Sequence, residues 1–227
     1  MSSKARTAQR SRQGPPLAVI AGVVVVAAIA LFAIFLANGG GNGGEDGTRS
    51  VERGSGLKYA VGNPGPGEPA PPLRLASTNG TTFDLAEQRG RRVMLYFQEG
   101  LMCQPCWDQM VDIEARWSEF QDEFGIDEMV AITSDPVDVL AGKVQLEGLQ
   151  SAVLSDPGVA VSKTYEANLY GMMGTSMNGH SFVIVGPDGR IEWRADYGGK
   201  PDHTMFVPVD GLLADMRAGM PDTAASS

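Results

Sequence analysis

Cysteine and histidine are both scarce. The 227 residues include two cysteines, Cys103 and Cys106, and two histidines, His180 and His203. Two cysteines cannot staple a disulfide scaffold, and a cysteine-only zinc site, which needs four thiolates, is excluded. Basic residues are outnumbered. The 18 Lys and Arg face 27 Asp and Glu, for a net charge of −9, which argues against nucleic acid as a partner. No internal repeat is present. A nucleotide loop is absent too, because Gly40-Gly41-Asn42-Gly43-Gly44 lacks the strand before it and the helix after it that such a loop needs. Hydrophobic residues make up 43% of the chain, enough for a full core.

Charge and apolar residues are unevenly distributed. Lys4, Arg6, Arg10 and Arg12 are the only charged residues before Glu45, and Leu17 to Ala37 is an apolar run without a charge or a proline. As a helix it would span about 30 Å, the thickness of a bilayer's hydrocarbon core. The run is longer than the apolar region of a cleaved signal peptide. Its exit, Phe35-Leu36-Ala37-Asn38, puts a bulky Phe where a cleavage site wants a small residue, and no cysteine follows for lipid attachment. The expectation is a basic cytoplasmic tail (1–16) and a transmembrane helix (17–37) that holds the remainder outside the cell membrane in a single pass. Disulfide chemistry persists in that compartment. Residues 38–66 are rich in glycine and proline and read as a linker with a reach of about 30 Å. Residues 220–227 read as a tail.

Between linker and tail the chain alternates strands with helices. Pro71 to Leu75 reads as an edge strand, turned at Asn79-Gly80 into Thr81-Thr82-Phe83, and Asp84 can cap a short helical turn that Gly90 stops. Val93 to Phe97 is apolar on both faces, as a central strand would be. Cys106, Trp107, Met110, Ile113, Trp117, Phe120 and Phe124 recur at helical spacing and predict one helix ending at Gly125. Met129 to Ile132 is a second central strand. Ser134-Asp135-Pro136 then predicts a cap with proline at the first helical position, ahead of a helix through Val137, Leu140 and Val144. A short strand at Ala152 to Leu154, a helix from about Gly158 to Ala167, a hairpin joining Ser181–Val185 to Arg190–Tyr197, and a helix from Val207 to Ala218 complete the order. The fold class is α/β: a mixed sheet flanked by helices, with an N-terminal β-hairpin extension. Chemistry in such folds sits beyond the C-terminal ends of the parallel strands, where Cys103 and Cys106 fall.

A strand that delivers a Cys-x-x-Cys pair to the first turn of a helix is a redox arrangement, because the helix N-terminus favours thiolate over thiol. Cys103 is the candidate nucleophile and Cys106 its resolving partner. Glu99, four residues earlier, is a candidate proton acceptor or a solvated loop charge. Trp107 either flanks the site or anchors the helix in the core. Asp122-Glu123 and Asp127-Glu128 read as solvated faces, and His203 as a residue of an exposed loop.

Several segments together resemble the redoxin (AhpC/TSA) branch of the thioredoxin-like superfamily. They are Glu68-Pro69-Ala70-Pro71 before a strand, the hairpin, the turn ending at Gly90, the buried strand with Cys103 and Cys106, Ser155-Asp156-Pro157 before a helix, and Phe182 to Gly189. The resemblance covers about residues 67–219. It implies a thioredoxin-like domain and a redox-active Cys103–Cys106 disulfide without a cofactor. The partners it implies are protein thiols and disulfides, or a small thiol or peroxide. The branch holds both peroxiredoxins and membrane-anchored TlpA-type oxidoreductases. Peroxiredoxins place Thr or Ser three residues before the peroxidatic cysteine and Pro seven before it. Relative to Cys103 those positions are Gly100 and Tyr96; relative to Cys106 they are Cys103 and Glu99. Thioredoxin-like enzymes also carry a cis-proline before the third strand, where this chain has Gly179 followed by His180. An alternative resemblance, to Sco-type copper chaperones, implies Cu(I) held by Cys103, Cys106 and His180. Met102, Met172, Met173 and Met177 would be nearby thioethers. Those chaperones space their cysteines one residue further apart.

Overall fold

The computed structural model describes residues 49–52 and 54–220. The expected basic tail, transmembrane helix and C-terminal tail from 221 onward lie outside the described residues. Among the described residues no helix is long and apolar enough to cross a membrane.

The described residues form nine strands: β1 (Arg49–Glu52), β2 (Lys58–Val61), β3 (Arg74–Ser77), β4 (Thr82–Asp84), β5 (Val93–Phe97), β6 (Glu128–Thr133), β7 (Ala152–Ser155), β8 (Ser181–Val185) and β9 (Ile191–Asp196). The helices are α1 (Gln104–Ala115), α2 (Trp117–Phe124), α3 (Val137–Glu147), α4 (Ala160–Thr164) and α5 (Val209–Gly219). All strands join one sheet in the order β1-β2-β9-β8-β5-β6-β7-β3-β4. β5 lies at its middle, parallel to β6 and antiparallel to β8. Every residue of β5 is buried. Met94 and Tyr96 point into one core with Trp107, Met110 and Phe182, and Val93, Leu95 and Phe97 point into the other with Leu73 and Tyr165. That two-sided burial explains the unbroken apolar run, since neither face of the strand meets water.

Much of the expected order is present. The β3–β4 hairpin turns at Gly80 (φ 83°), and the Asp84 carboxylate accepts from the Ala86 amide over the short turn Leu85–Gln88. Four expectations need correction. The sheet begins before residue 67: β1 and β2 lie within the segment 38–66 expected to be a linker. Tyr59 of β2 is buried against Trp193 and Tyr197, at ring separations of 6.2 and 5.2 Å. A fully buried ion pair fastens the chain that follows: Arg194 donates to both Asp196 oxygens (2.8 and 3.0 Å) and to the Pro64 carbonyl, and Asp196 accepts the Gly62 amide. Secondly, the long helix after Cys106 is two. At Arg116 (φ −120°, ψ 23°) it breaks, and the guanidinium pairs with Glu119 and with Asp210, each at 2.6 Å. Apolar spacing continues through the break, so periodicity could not reveal it.

Thirdly, Pro136 is the cap residue of α3 rather than its first helical residue. Asp135 does not cap the helix. Its Oδ2 accepts from the Leu101 amide and the Thr133 hydroxyl, both at 2.9 Å. Fourthly, the expected helix from Gly158 to Ala167 contracts to α4, because Val159 and Glu166 adopt left-handed φ values of 53° and 51°. A non-glycine residue rarely holds that conformation, and it does not continue a right-handed helix.

Candidate active site

The site begins where β5 ends. The Gln98 amide keeps pairing with Ile132, and the Gln98 side-chain oxygen accepts the Gly100 amide at 3.0 Å. Gly100 has φ 89°, and a Cβ on it would overlap the Asp135 carboxylate and the Thr133 hydroxyl. The place three residues before Cys103, where a peroxidatic Thr or Ser would stand in the Cys103 frame, is therefore closed to a side chain. The Gly100 carbonyl accepts two donors, the Cys103 amide and Trp107 Nε1, each at 3.0 Å. Trp107 is fully buried in the core, and its indole ties α1 to the loop before Cys103. The loop is closed on itself before α1 starts.

Cys103 occupies the N-cap position of α1 and Pro105 its first turn. The Cys106 amide donates to the Cys103 carbonyl at 3.0 Å, and the two sulfurs are joined in a disulfide with Cα atoms 5.3 Å apart. The pair is asymmetric. Cys103 retains 6% exposure and Cys106 none, so Cys103 is the sulfur that an external thiol can approach. Gln104, between them, is held by Asp108 and by Lys143, whose ammonium lies 5.4 Å from the centre of the Trp107 ring.

Glu99 is not a solvated loop charge. It is 4% exposed, and its Oε1 accepts the Met172 amide at 2.6 Å, tying the methionine loop to the cysteine loop. Met102 beside Cys103 is 83% exposed, and Met172 and Met173 are exposed as well. Asp127 is exposed, as expected, and accepts the Arg92 amide, while Glu128 is half-buried and pairs with Arg91. His203 is partly buried, with its ring against the Gly198 carbonyl.

His180 lies inside the protein. Its ring packs edge-on against Tyr96, Phe182 and Tyr197. Nδ1 meets the Tyr96 hydroxyl at 3.0 Å, that hydroxyl also donates to the Cys106 carbonyl at 3.3 Å, and Nε2 has no hydrogen-bond partner among the described residues. Burial pushes the imidazole down to about 3, so it is neutral at physiological pH. Burial, and then the Glu99 carboxylate, hold the Tyr96 phenol well above its ordinary value and keep it protonated. Tyr96 was legible only as a strand residue. A lone hydroxyl in an otherwise apolar strand was the available signal, since a buried phenol seeks a partner.

Gly179 stands where the cis-proline was expected. A Cβ on it would overlap the Tyr170 carbonyl, and its amide donates to the Ala167 carbonyl at 2.9 Å, a bond that proline cannot make. The cis peptides among the described residues precede Pro64 and Pro201, both outside this loop. No cluster of three or more His, Cys, Asp or Glu among the described residues is placed to hold a metal, and His180 turns to Tyr96.

A model of the AhpC/TSA family matches residues 66–194, more than half of the chain. This chain belongs to the AhpC/TSA family. Membership makes it a thiol-based oxidoreductase. A Mycobacterium tuberculosis protein provisionally named a peroxiredoxin is 33% identical to this AhpC/TSA member over 131 residues, covering 56% of this chain and 81% of that one. Among solved structures, peroxidoxin BcpB of Mycobacterium tuberculosis is similar with a TM-score of 0.55 and 21% identity, over 67% of this chain and 96% of the other. A provisionally named protein disulfide isomerase from Bacteroides thetaiotaomicron is similar with a TM-score of 0.51 and 21% identity, over 72% and 92%. At those identities the structures establish the thioredoxin-like fold of this AhpC/TSA protein and nothing finer.

Proposed function

We propose that this AhpC/TSA protein is a thiol–disulfide oxidoreductase working through Cys103 and Cys106, anchored in the cell membrane by residues 17–37 with its domain on the outer side. The observation that carries the reading is the bonded pair at the N-terminus of α1, in which Cys103 retains 6% exposure and Cys106 none. In the reducing direction Cys103 attacks a substrate disulfide as a thiolate, favoured by the helix N-terminus. A mixed disulfide forms and one substrate thiol leaves. Cys106 then attacks Cys103 Sγ, forming the internal disulfide and releasing the second substrate thiol. Two electrons pass from the pair to the substrate, and the oxidising direction is the reverse.

Alkylation with and without reductant, read as a mass shift, tests whether the pair cycles. Cys103→Ser is expected to abolish insulin-disulfide reduction, and full retention would overturn the proposal. Peroxide reduction is the second reading, favoured by the peroxiredoxin name of the 33% identical relative. Against it stands the sterically closed position at Gly100. Stoichiometric peroxide consumption coupled to oxidation of Cys103 would reverse that ranking. The anchor rests on the apolar run and the basic residues before it, and release of the full chain from membranes by alkaline carbonate would refute it.

A further inference from the structure

Two places where this chain departs from the patterns of its relatives meet in space. Tyr96 holds the position seven residues before Cys103, where peroxiredoxins have proline, and His180 follows Gly179, which stands at the cis-proline position. Their side chains are hydrogen-bonded to each other at 3.0 Å, and the Tyr96 hydroxyl reaches on to the Cys106 carbonyl at 3.3 Å. All three residues are fully buried.

The hydroxyl carries one proton and faces two acceptors. If it donates to Nδ1, the Cys106 carbonyl loses this bond and Nε2 carries a hydrogen with no acceptor. If Nδ1 carries the hydrogen, the imidazole donates to the Tyr96 oxygen and Tyr96 donates to the Cys106 carbonyl. Only a bare lone pair on Nε2 then goes without a partner. The second arrangement satisfies more groups, and an unpaired buried donor is the costlier defect. We infer that Tyr96 and His180 are a positioning pair for the resolving cysteine, holding the first turn of α1 against β5 so that Cys106 stays bonded to, or poised to attack, Cys103. His180 acts through Tyr96, and Tyr96 acts through the backbone of Cys106. The exchange step keeps the balance given above. The inference rests on the thiol–disulfide reading.

The test equilibrates the full-length protein with reduced and oxidised glutathione and reads the constant for disulfide formation, which measures how well the two thiols are held together. Tyr96→Phe removes the bond to the carbonyl and is expected to lower that constant about fivefold, the equivalent of one hydrogen bond of about 1 kcal/mol. His180→Leu is expected to lower it by a similar factor. The double variant is expected to match either single one, because both break the same chain. His180→Asn, whose amide can still donate to Tyr96, is expected to return the constant to within about twofold of the wild type. A merely structural role would lower the melting temperature without moving the constant. Constants unchanged in Tyr96→Phe and His180→Leu, or losses that multiply in the double variant, overturn the inference. A wild-type pair that fails to equilibrate with glutathione at all overturns the thiol–disulfide reading instead.

Discussion

Acid should destabilise this protein through one residue in particular. Free histidine titrates near about 6.5, and burial among Tyr96, Phe182 and Tyr197 pushes His180 down to about 3. Between those two values the unfolded chain binds a proton that the native chain refuses. Stability contributed by neutral His180 is therefore whole above about pH 6.5 and declines as pH falls, with the loss complete near pH 3. Each pH unit across that window is worth about 1.4 kcal/mol, so the full loss is about 5 kcal/mol and the loss by pH 5 about 2 kcal/mol. Domains are typically stable by about 5–15 kcal/mol, so the effect is large enough to resolve. The perturbation is His180→Asn, which removes the titrating group and keeps a donor for Tyr96. Urea unfolding of the oxidised protein at pH 7.5 and pH 5.0 gives the stability difference for each form. The carboxylates titrate alike in both, so they cancel in the comparison. The wild type is expected to lose about 2 kcal/mol more than the variant between the two pH values. Equal losses in both would refute the reasoning.

Gly100→Ala, the smallest side chain possible there, is expected to cost more than the roughly 1–3 kcal/mol of ordinary overpacking. Its φ of 89° and the Asp135 carboxylate both oppose a Cβ; a melting temperature within a degree of wild type would contradict that. Arg194→Met leaves Asp196 buried and unpaired and is expected to destabilise by about 3–5 kcal/mol. Limited proteolysis should then cut near Pro64 first, and unchanged protection of that segment would count against the fastening role of the ion pair. Dilute peroxide should convert Met102, Met172 and Met173 to sulfoxides before buried Met94, Met110 or Met129. Peptide mass mapping checks the order, and early oxidation of Met94 would contradict the burial pattern.

The sequence signals that succeeded were those in which one residue's chemistry fixes one conformation. Asn79-Gly80 turns the β3–β4 hairpin and Asp84 caps the turn after it, each a local hydrogen bond or a glycine φ that needs no help from the rest of the fold. Val93 to Phe97 is legible because a strand buried on both faces leaves no polar alternation. The signals that failed depend on partners distant in sequence. β2 is held by one buried tyrosine and by Asp196, which lies 134 residues beyond Gly62. Nothing within residues 58–61 announces that. The break at Arg116 answers to Asp210 in α5, and the apolar stripe runs through it. Asp135 looked like a helix cap because its neighbours fit one, and the Leu101 amide claimed its carboxylate.

The candidate site divides the same way. Cys103 and Cys106 were readable because strand, spacing and helix are contiguous, whereas Glu99, Tyr96 and His180 acquire their roles only when β5, β8 and the 170–180 loop come together. The two departures from family pattern that looked like losses have a common steric cause. At Gly100 the loop runs against Asp135 and Thr133, and at Gly179 it runs against the Tyr170 backbone. A peroxidatic threonine and a cis-proline each need space and a free backbone that these crossings remove. Without them, the polar contact to the cysteine motif from beneath comes from Tyr96, supported by His180. Restoring the family residues one at a time should therefore damage the fold before it restores any activity, because the space they would occupy is filled by backbone and carboxylate.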